Sequence, residues 1–201
     1  MAAGAALPAG LLVLGIDPGT KHTGYGLVKS SGGAIELVVQ GRLSPPTAWP
    51  LPRRLAHIYD ELNRLVAGYR PVAVAVEDIF IGLNARSALR LGHVRGVALL
   101  AAAQNGAEVF EYPPRLVKNA VAGYGQADKA QVAHMVGELL HLKETLAPDA
   151  ADALAVALCH LGQCRLDSLL PGQVKPARSG GRSGWRNLSE ADLTSLNYGG
   201  K

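Results

Sequence analysis

The stretch PVAVAVEDIF, residues 71–80, is built almost wholly from small and β-branched apolar residues and carries its acids at the far end. A strand of that kind has no polar face to give to water, so both of its sides must be covered. It demands a sheet flanked by helices on both faces, and the neighbouring sequence supplies them. LPRRLAHIYDELNRLVAGY (51–69) sets Leu51, Leu55, Ile58, Leu62, Leu65 and Val66 at helical spacing, with Gly68 at its end. After the strand, Asn84 is placed to cap a long helix, ARSALRLGHVRGVALLAAAQ, which Asn105-Gly106 stops.

Upstream, LLVLGID (11–17), TGYGLVKS (23–30) and AIELVVQGRL (34–43) read as three strands joined by glycine turns, an antiparallel meander. Downstream, AEVFEY (107–112) is a short strand before Pro113-Pro114. Helical stretches follow near 114–121 and 126–142. A last helix, PDAADALAVALCHLG, has Pro148 where a first-turn proline belongs. Strands first, then strands alternating with helices, predict an α/β domain with a mixed sheet of about five strands. The expected organisation is a loose extension over 1–10, one domain over 11–164, and a Gly/Ser/Arg-rich tail over 165–201 that lacks a core pattern.

The 201 residues, 48% hydrophobic and 18% charged, suit one domain with a real core. No apolar run reaches the roughly 18 residues that cross a bilayer. The opening MAAGAALPAGLLVLGI lacks a basic leader region, so no secretory signal and no membrane partner are expected. Cys159 and Cys164 make no disulfide framework, and a reducing, cytoplasmic setting is the expectation.

The formal charge of +4 invites a nucleic-acid reading. Most of the excess lies in the tail, which holds six Lys/Arg against three acids, while residues 1–164 hold 14 against 13. Between Arg86 and Lys129, however, six basic residues face three acidic ones, and that region suits a polyanion.

Four carboxylates carry the chemistry. Asp17 closes an apolar strand in LGIDPGTKHTGYGLV, and Glu77 holds the same place in VAVAVEDIF. Asp149 and Asp152 stand three apart at a helix start and share one face. The small neighbours Ala147, Ala150, Ala151 and Ala153 let that helix end approach a sheet closely. Carboxylates gathered in this way repel unless a cation sits among them. Oxygen ligands suit Mg²⁺, and two such ions activate water against a phosphodiester. Plainer readings exist: a turn-starting aspartate at Asp17, and acids favoured by a helix N-terminus at Asp149 and Asp152. Glu77 is harder to explain without a partner, because an acid ending a buried strand is costly.

At this point the chain resembles the RuvC family of Holliday-junction resolvases, endonucleases of the RNase H-like superfamily. The matching stretches are LGIDPGTKHTGYGLV, VAVEDIFIGLNARSALRLGHVRGVALLAA, VFEYPPRLVKNAVAGYGQADKAQVAHMV and PDAADALAVALCH, in the family's order over residues 12 to about 162. The resemblance implies an RNase H-like fold and a catalytic, metal-binding tetrad of Asp17, Glu77, Asp149 and Asp152. Asp17 would contact both of two Mg²⁺ ions, with Mn²⁺ as a substitute, while Glu77 and Asp152 each complete one shell. Some relatives carry histidine in place of Asp149. It also implies a homodimer that cuts four-way DNA symmetrically, leaves 5′-phosphate and 3′-hydroxyl ends, and works beside RuvA and RuvB in recombination and repair. Phe80 would stack on a splayed base, and Lys118 and Lys129 would lie near the DNA backbone. Arg86 and Arg90 are further phosphate candidates.

Ala88, Gly92 and Gly96 form a small-residue stripe that admits a second helix, either a two-fold mate or the chain's own sheet. Cys159, His160 and Cys164 lack a second ligand pair at zinc spacing, and His134, Glu138 and His141 fit an amphipathic surface helix. The G-I-D-x-G-T opening also begins actin-like ATP-binding folds, which need two such domains, and the smaller YqgF-like nucleases, which should lack the VEDIF–NARSALRLG block.

Overall fold

The strand over residues 73–77 lies next to last in a five-stranded sheet, where its apolar sequence requires it to be covered on both faces. The computed structural model describes residues 10–31, 33–78 and 85–169; Phe80 and the expected cap Asn84 lie outside them. Strands β1 (Leu12–Asp17), β2 (Thr23–Ser31) and β3 (Ala34–Leu43) form the antiparallel meander. Helix α1 (Leu51–Tyr69), strand β4 (Ala73–Glu77), helix α2 (Ala85–Gln104) and strand β5 (Glu108–Tyr112) follow. Helices α3 (Pro114–Ala122), α4 (Lys129–Leu139) and α5 (Pro148–Leu169) complete the fold. The sheet order is β3-β2-β1-β4-β5, with β4 parallel to β1 and to β5. This is the mixed α/β sheet expected from the sequence.

Two cores lie on opposite sides of the sheet. On one side Leu14, Ile16, Leu27, Val74 and Val76 meet Ile58, Leu62 and Val66 of α1 and Val94, Ala98, Ala101 and Ala102 of α2. On the other, Val13, Val28, Ala73 and Ala75 meet α5, which α3 and α4 cover in turn. Helix α5 therefore lies between the sheet and an outer helical layer. Its run from Ala150 to Leu161 is buried almost without interruption, as a helix that is apolar all round must be.

Three glycines let α5 come that close. Gly15 and Gly26 are register partners, Gly24 pairs with Asp17, and all three face α5. A Cβ at Gly15 would collide with the Ala153 carbonyl, and one at Gly24 with the Asp149 carbonyl. One at Gly26 would lie 2.5 Å from the Leu154 side chain. The helix contributes alanine at 150, 151, 153, 155 and 157, so backbone nearly meets backbone.

Element boundaries differ from expectation chiefly in β4, α4 and α5, and α4 also ends earlier, at Leu139 rather than 142. β4 ends at Glu77, short of Phe80. α4 begins at Lys129, because Asp128 caps it by accepting from the Gln131 amide while the Gln131 side chain accepts from the Asp128 amide. α5 continues to Leu169, so residues 165–169 of the expected tail are helical, and 170–201 lie outside the described residues.

The close approach predicts that Gly15→Ala lowers unfolding stability by about 2–3 kcal/mol, the scale of an overpacked core. Urea unfolding checks it, and an unchanged midpoint would mean that α5 does not rest on β1.

Candidate active site

In the parallel pair, Ile16 lies opposite Val76, so the next residues, Asp17 and Glu77, emerge side by side at the two strand ends. Alternation fixes their face. Ile16 and Val76 point into the core under α1 and α2, which turns Asp17 and Glu77 toward α5. The start of α5 brings Asp149 and Asp152 to the same sheet end, where the Asp149 backbone rests on Gly24 beside Asp17.

The electrostatics shows how tightly these acids are grouped. Burial, and after it the Asp152 charge, pushes Asp17 up to about 6, with Lys129 and a hydrogen bond from Glu77 pulling the other way. Burial, then Asp17 and Asp152, pushes Glu77 up to about 8. Glu77 is therefore the protonated member of the pair and donates to Asp17. Two basic residues hold the outer acids: Lys129 Nζ lies 2.6 Å from Asp152, and Arg42 Nη1 of β3 lies 3.3 Å from Asp149. Contact with Asp152 raises the Lys129 ammonium, which stays cationic. With Asp149 and Asp152 drawn toward those bases, no three His, Cys, Asp or Glu side chains among the described residues converge tightly enough to ligate one ion.

The donor set nonetheless fits a hard divalent cation. All four groups are carboxylates, and two of them sit half-buried where full ionisation is costly without added positive charge.

Other residues brace the strand ends. The Asp78 amide donates to the Tyr112 carbonyl at 2.9 Å. Arg95 of α2 pairs with Glu111 of β5 and lies 3.8 Å from Asp78. Beneath them Tyr112 Oη and His160 Nδ1 share a 2.7 Å hydrogen bond, with Phe110 tilted against the imidazole at 4.4 Å. Burial lowers His160 to about 4, so it is a neutral core residue, and it raises the Cys159 thiol to about 12, which leaves it unreactive. His134, Glu138 and His141 are exposed, as an amphipathic helix and its end should leave them.

Of the expected DNA-contact residues, Lys129 joins the carboxylates. Arg86 and Arg90 are exposed near the start of α2, and Lys118 is part-buried on α3. Sequence reasoning missed Arg42 and Arg95. Arg42 stands 107 positions from Asp149, and no local pattern signals such a contact. The small-residue stripe of α2 faces away from the chain's own sheet. Gly92 and Gly96 have open space above them, and the buried side is Val94, Ala98, Ala101 and Ala102.

The family model "Crossover junction endodeoxyribonuclease RuvC" matches residues 13–160, which contain all four acids. The chain belongs to the RuvC family. Its class of activity is that of a Holliday-junction-resolving endonuclease, a phosphodiester hydrolase of a metal-dependent family. It is 47% identical over 166 residues to RuvC of Rubrobacter xylanophilus, covering 82% of this chain and 92% of that one. It is 51% identical over 158 residues to RuvC of Syntrophotalea carbinolica, covering 79% and 98%. Among solved structures, Thermus thermophilus RuvC superposes with a TM-score of 0.70 at 36% identity, covering 78% and 96%. T. thermophilus RuvC in complex with a Holliday junction substrate gives 0.72 at 34%, covering 83% and 99%. Among the described residues no helix is long and apolar enough to cross a membrane.

The Glu77 shift sets a pH dependence. Folded Glu77 keeps its proton to about pH 8, whereas the unfolded group releases it near 4.5. The folded state binds more protons in that window, so ion-free stability falls as pH rises through it. His160 acts oppositely, but its contribution is complete by about pH 6.5. From there to pH 8 the expected fall is at most about 1 kcal/mol per pH unit. Urea unfolding in chelator reads this slope, and Glu77→Gln should flatten it; a rising curve would contradict the protonated pair.

Proposed function

We propose that Asp17, Glu77, Asp149 and Asp152 are the catalytic carboxylates and hold two Mg²⁺ ions per subunit, with Mn²⁺ able to replace them. The observation that carries this reading is the half-buried Asp17–Glu77 pair, side by side at two strand ends next to Asp152, where burial and the neighbouring acids raise both carboxyls despite Lys129. Bound there, divalent ions would supply an activated water and stabilise the leaving oxygen. The protein's part is placement. Two strand ends and one helix start fix the acids on one face, and the exposed Lys129 offers a cation at the rim where a phosphate arrives. Arg42 holds Asp149 and thereby orients the outer edge of the cluster. The products of the proposed cut are a 5′-phosphate and a 3′-hydroxyl.

The substrate is four-way junction DNA, the molecule bound in the T. thermophilus complex that this fold matches. A symmetric substrate calls for a symmetric enzyme, and α2 offers the face. Leu89 and Leu100 are 64% and 50% exposed and flank the open Gly92 and Gly96, on the side away from the chain's own core. A two-fold helix pair across that stripe makes the homodimer. RuvA and RuvB are the partners that the family resemblance adds, and Phe80, Arg86, Arg90 and Lys118 the further DNA contacts.

Incubating the protein with synthetic four-way, Y-shaped and linear DNA plus Mg²⁺ tests this. Four-way DNA should be cut in preference, and Asp17→Asn should lose about a thousandfold or more in rate, the several kcal/mol a misheld ion forfeits, while still binding the junction. Asp17→Asn cutting at the parent rate would end the reading. For the dimer, Gly96→Arg should shift the sedimenting species from dimer to monomer at micromolar concentration, and a parent chain that sediments as a monomer would refute the α2 interface.

A further inference from the structure

At the same end of the sheet as the carboxylates, but on the α1/α2 side, lies a second cavity of about 360 Å³. Thr20 and Lys21 of the turn after β1, Thr47 and Trp49 of the segment leading to α1, Arg54 of α1 and Arg90 of α2 line it. None of these is acidic. Arg54 donates through Nη2 to the Thr20 carbonyl, which ties α1 to the turn that starts three residues before it at Asp17. Its Nε is buried and has no hydrogen-bond partner among the described residues. Pro50 gives α1 no side-chain cap and the first turn holds no acid, so the positive end of the helix opens beside the same space. Trp49 forms an aromatic wall, backed by the Arg53 guanidinium 4.0 Å from its ring centroid and by the His57 ring at right angles.

We propose that this cavity binds a non-scissile backbone phosphate of the junction, with the adjoining nucleotide laid against Trp49. The inference rests on the junction-cleaving reading above. Three cations, an uncapped helix start and an unsatisfied guanidinium N–H select an anion, and an aromatic wall beside them selects a nucleotide over a bare ion. The site is separate from the scissile position because Asp17 and Glu77 turn toward α5, on the other side of the β1 tip. One substrate is thus gripped on both sides of a single strand end.

The test uses the full chain with Trp185→Phe, which leaves Trp49 as the sole tryptophan, in chelator so that no cleavage occurs. Adding a synthetic four-way junction should quench Trp49. Lys21→Gln combined with Arg90→Gln should abolish the quench, raise the junction Kd about tenfold and reduce the salt slope of binding by about one. Both side chains are exposed, and the single variants should each show a smaller rise of about threefold, so a folding defect in one chain does not decide the matter. An unchanged Kd and slope in the double variant, or a Trp49 signal that inorganic phosphate reproduces as fully as DNA, would overturn the proposal. The two failures separate cleanly. A parent chain that neither binds nor cuts four-way DNA in Mg²⁺ sinks the functional reading, whereas a cutting parent whose double variant binds equally well sinks only this cavity.

Discussion

Everything at the carboxylate-bearing end of the sheet depends on how near α5 can lie to β1 and β2. Helix and sheet normally stand apart by the thickness of two side-chain layers. Here Gly15, Gly24 and Gly26 remove one layer and the alanines of α5 nearly remove the other. The gain is positional. Asp149 sits over Gly24, the register partner of Asp17, so the first turn of the helix is pinned to the tip of the strand. A larger residue at any of the three glycines would lift the helix and carry Asp149 and Asp152 away with it. Burial at this strand end is the largest cause of the altered protonation of Asp17 and Glu77.

That burial creates a conflict which the molecule resolves by sharing charge. Four carboxylates at one sheet end cannot all be ionised without compensation. The inner pair keeps a proton between Glu77 and Asp17, and the outer pair leans on Arg42 and Lys129. Both arrangements are reversible. The proton leaves with rising pH, and Lys129, paired with Asp152, keeps a side chain that is 78% exposed. Behind them the supports are fixed: Arg95 spans Glu111 and Asp78, and the neutral His160 holds Tyr112 at the end of β5. A rigid frame with exchangeable counter-charges suits an enzyme that must take up ions and then a polyanion in the same place.

Local patterns made the frame legible. Apolar runs, glycine turns and helical spacing located every described strand and helix, and the end of β4 pointed to Glu77 because an acid there has no cheap explanation, whereas Asp17 at the end of β1 also fitted a plain turn start. What stayed hidden was mostly tertiary. Arg42 could not be matched to Asp149 by any local rule, since β3 reaches α5 only through the folded sheet. The α2 stripe fitted two partners equally well until the fold showed that Val94 and Ala98, not Gly92 and Gly96, face the sheet. The start of α4 was readable and missed: Asp128 followed three residues later by Gln131 is a capping box, and it moves the helix start from 126 to 129. The far end of α5 was misjudged for the opposite reason. Its last residues lack an apolar stripe, yet a helix already held along its length by the core extends past the point where its own sequence would stop it.

The tip of β1 therefore has two chemically opposite sides. Toward α5 it presents carboxylates; toward α1 and α2 it opens on a cavity lined by Lys21, Arg54 and Arg90. Both sides are fixed by one short stretch, Asp17 through Thr23, whose turn is pinned by the Thr23 hydroxyl donating to the Gly19 carbonyl and by Arg54 reaching Thr20. In the proposed reading this strand tip would engage a nucleic-acid backbone through its phosphates, contacts that position the DNA without reading its sequence. On the reading proposed above, discrimination among DNA structures would rest on how far apart two phosphates can be placed across the tip. A bent or branched backbone brings them within reach on both sides, and a straight duplex holds them in one line. On that reading the opening turn does more than end a strand: it would set the distance over which the shape of the DNA is measured.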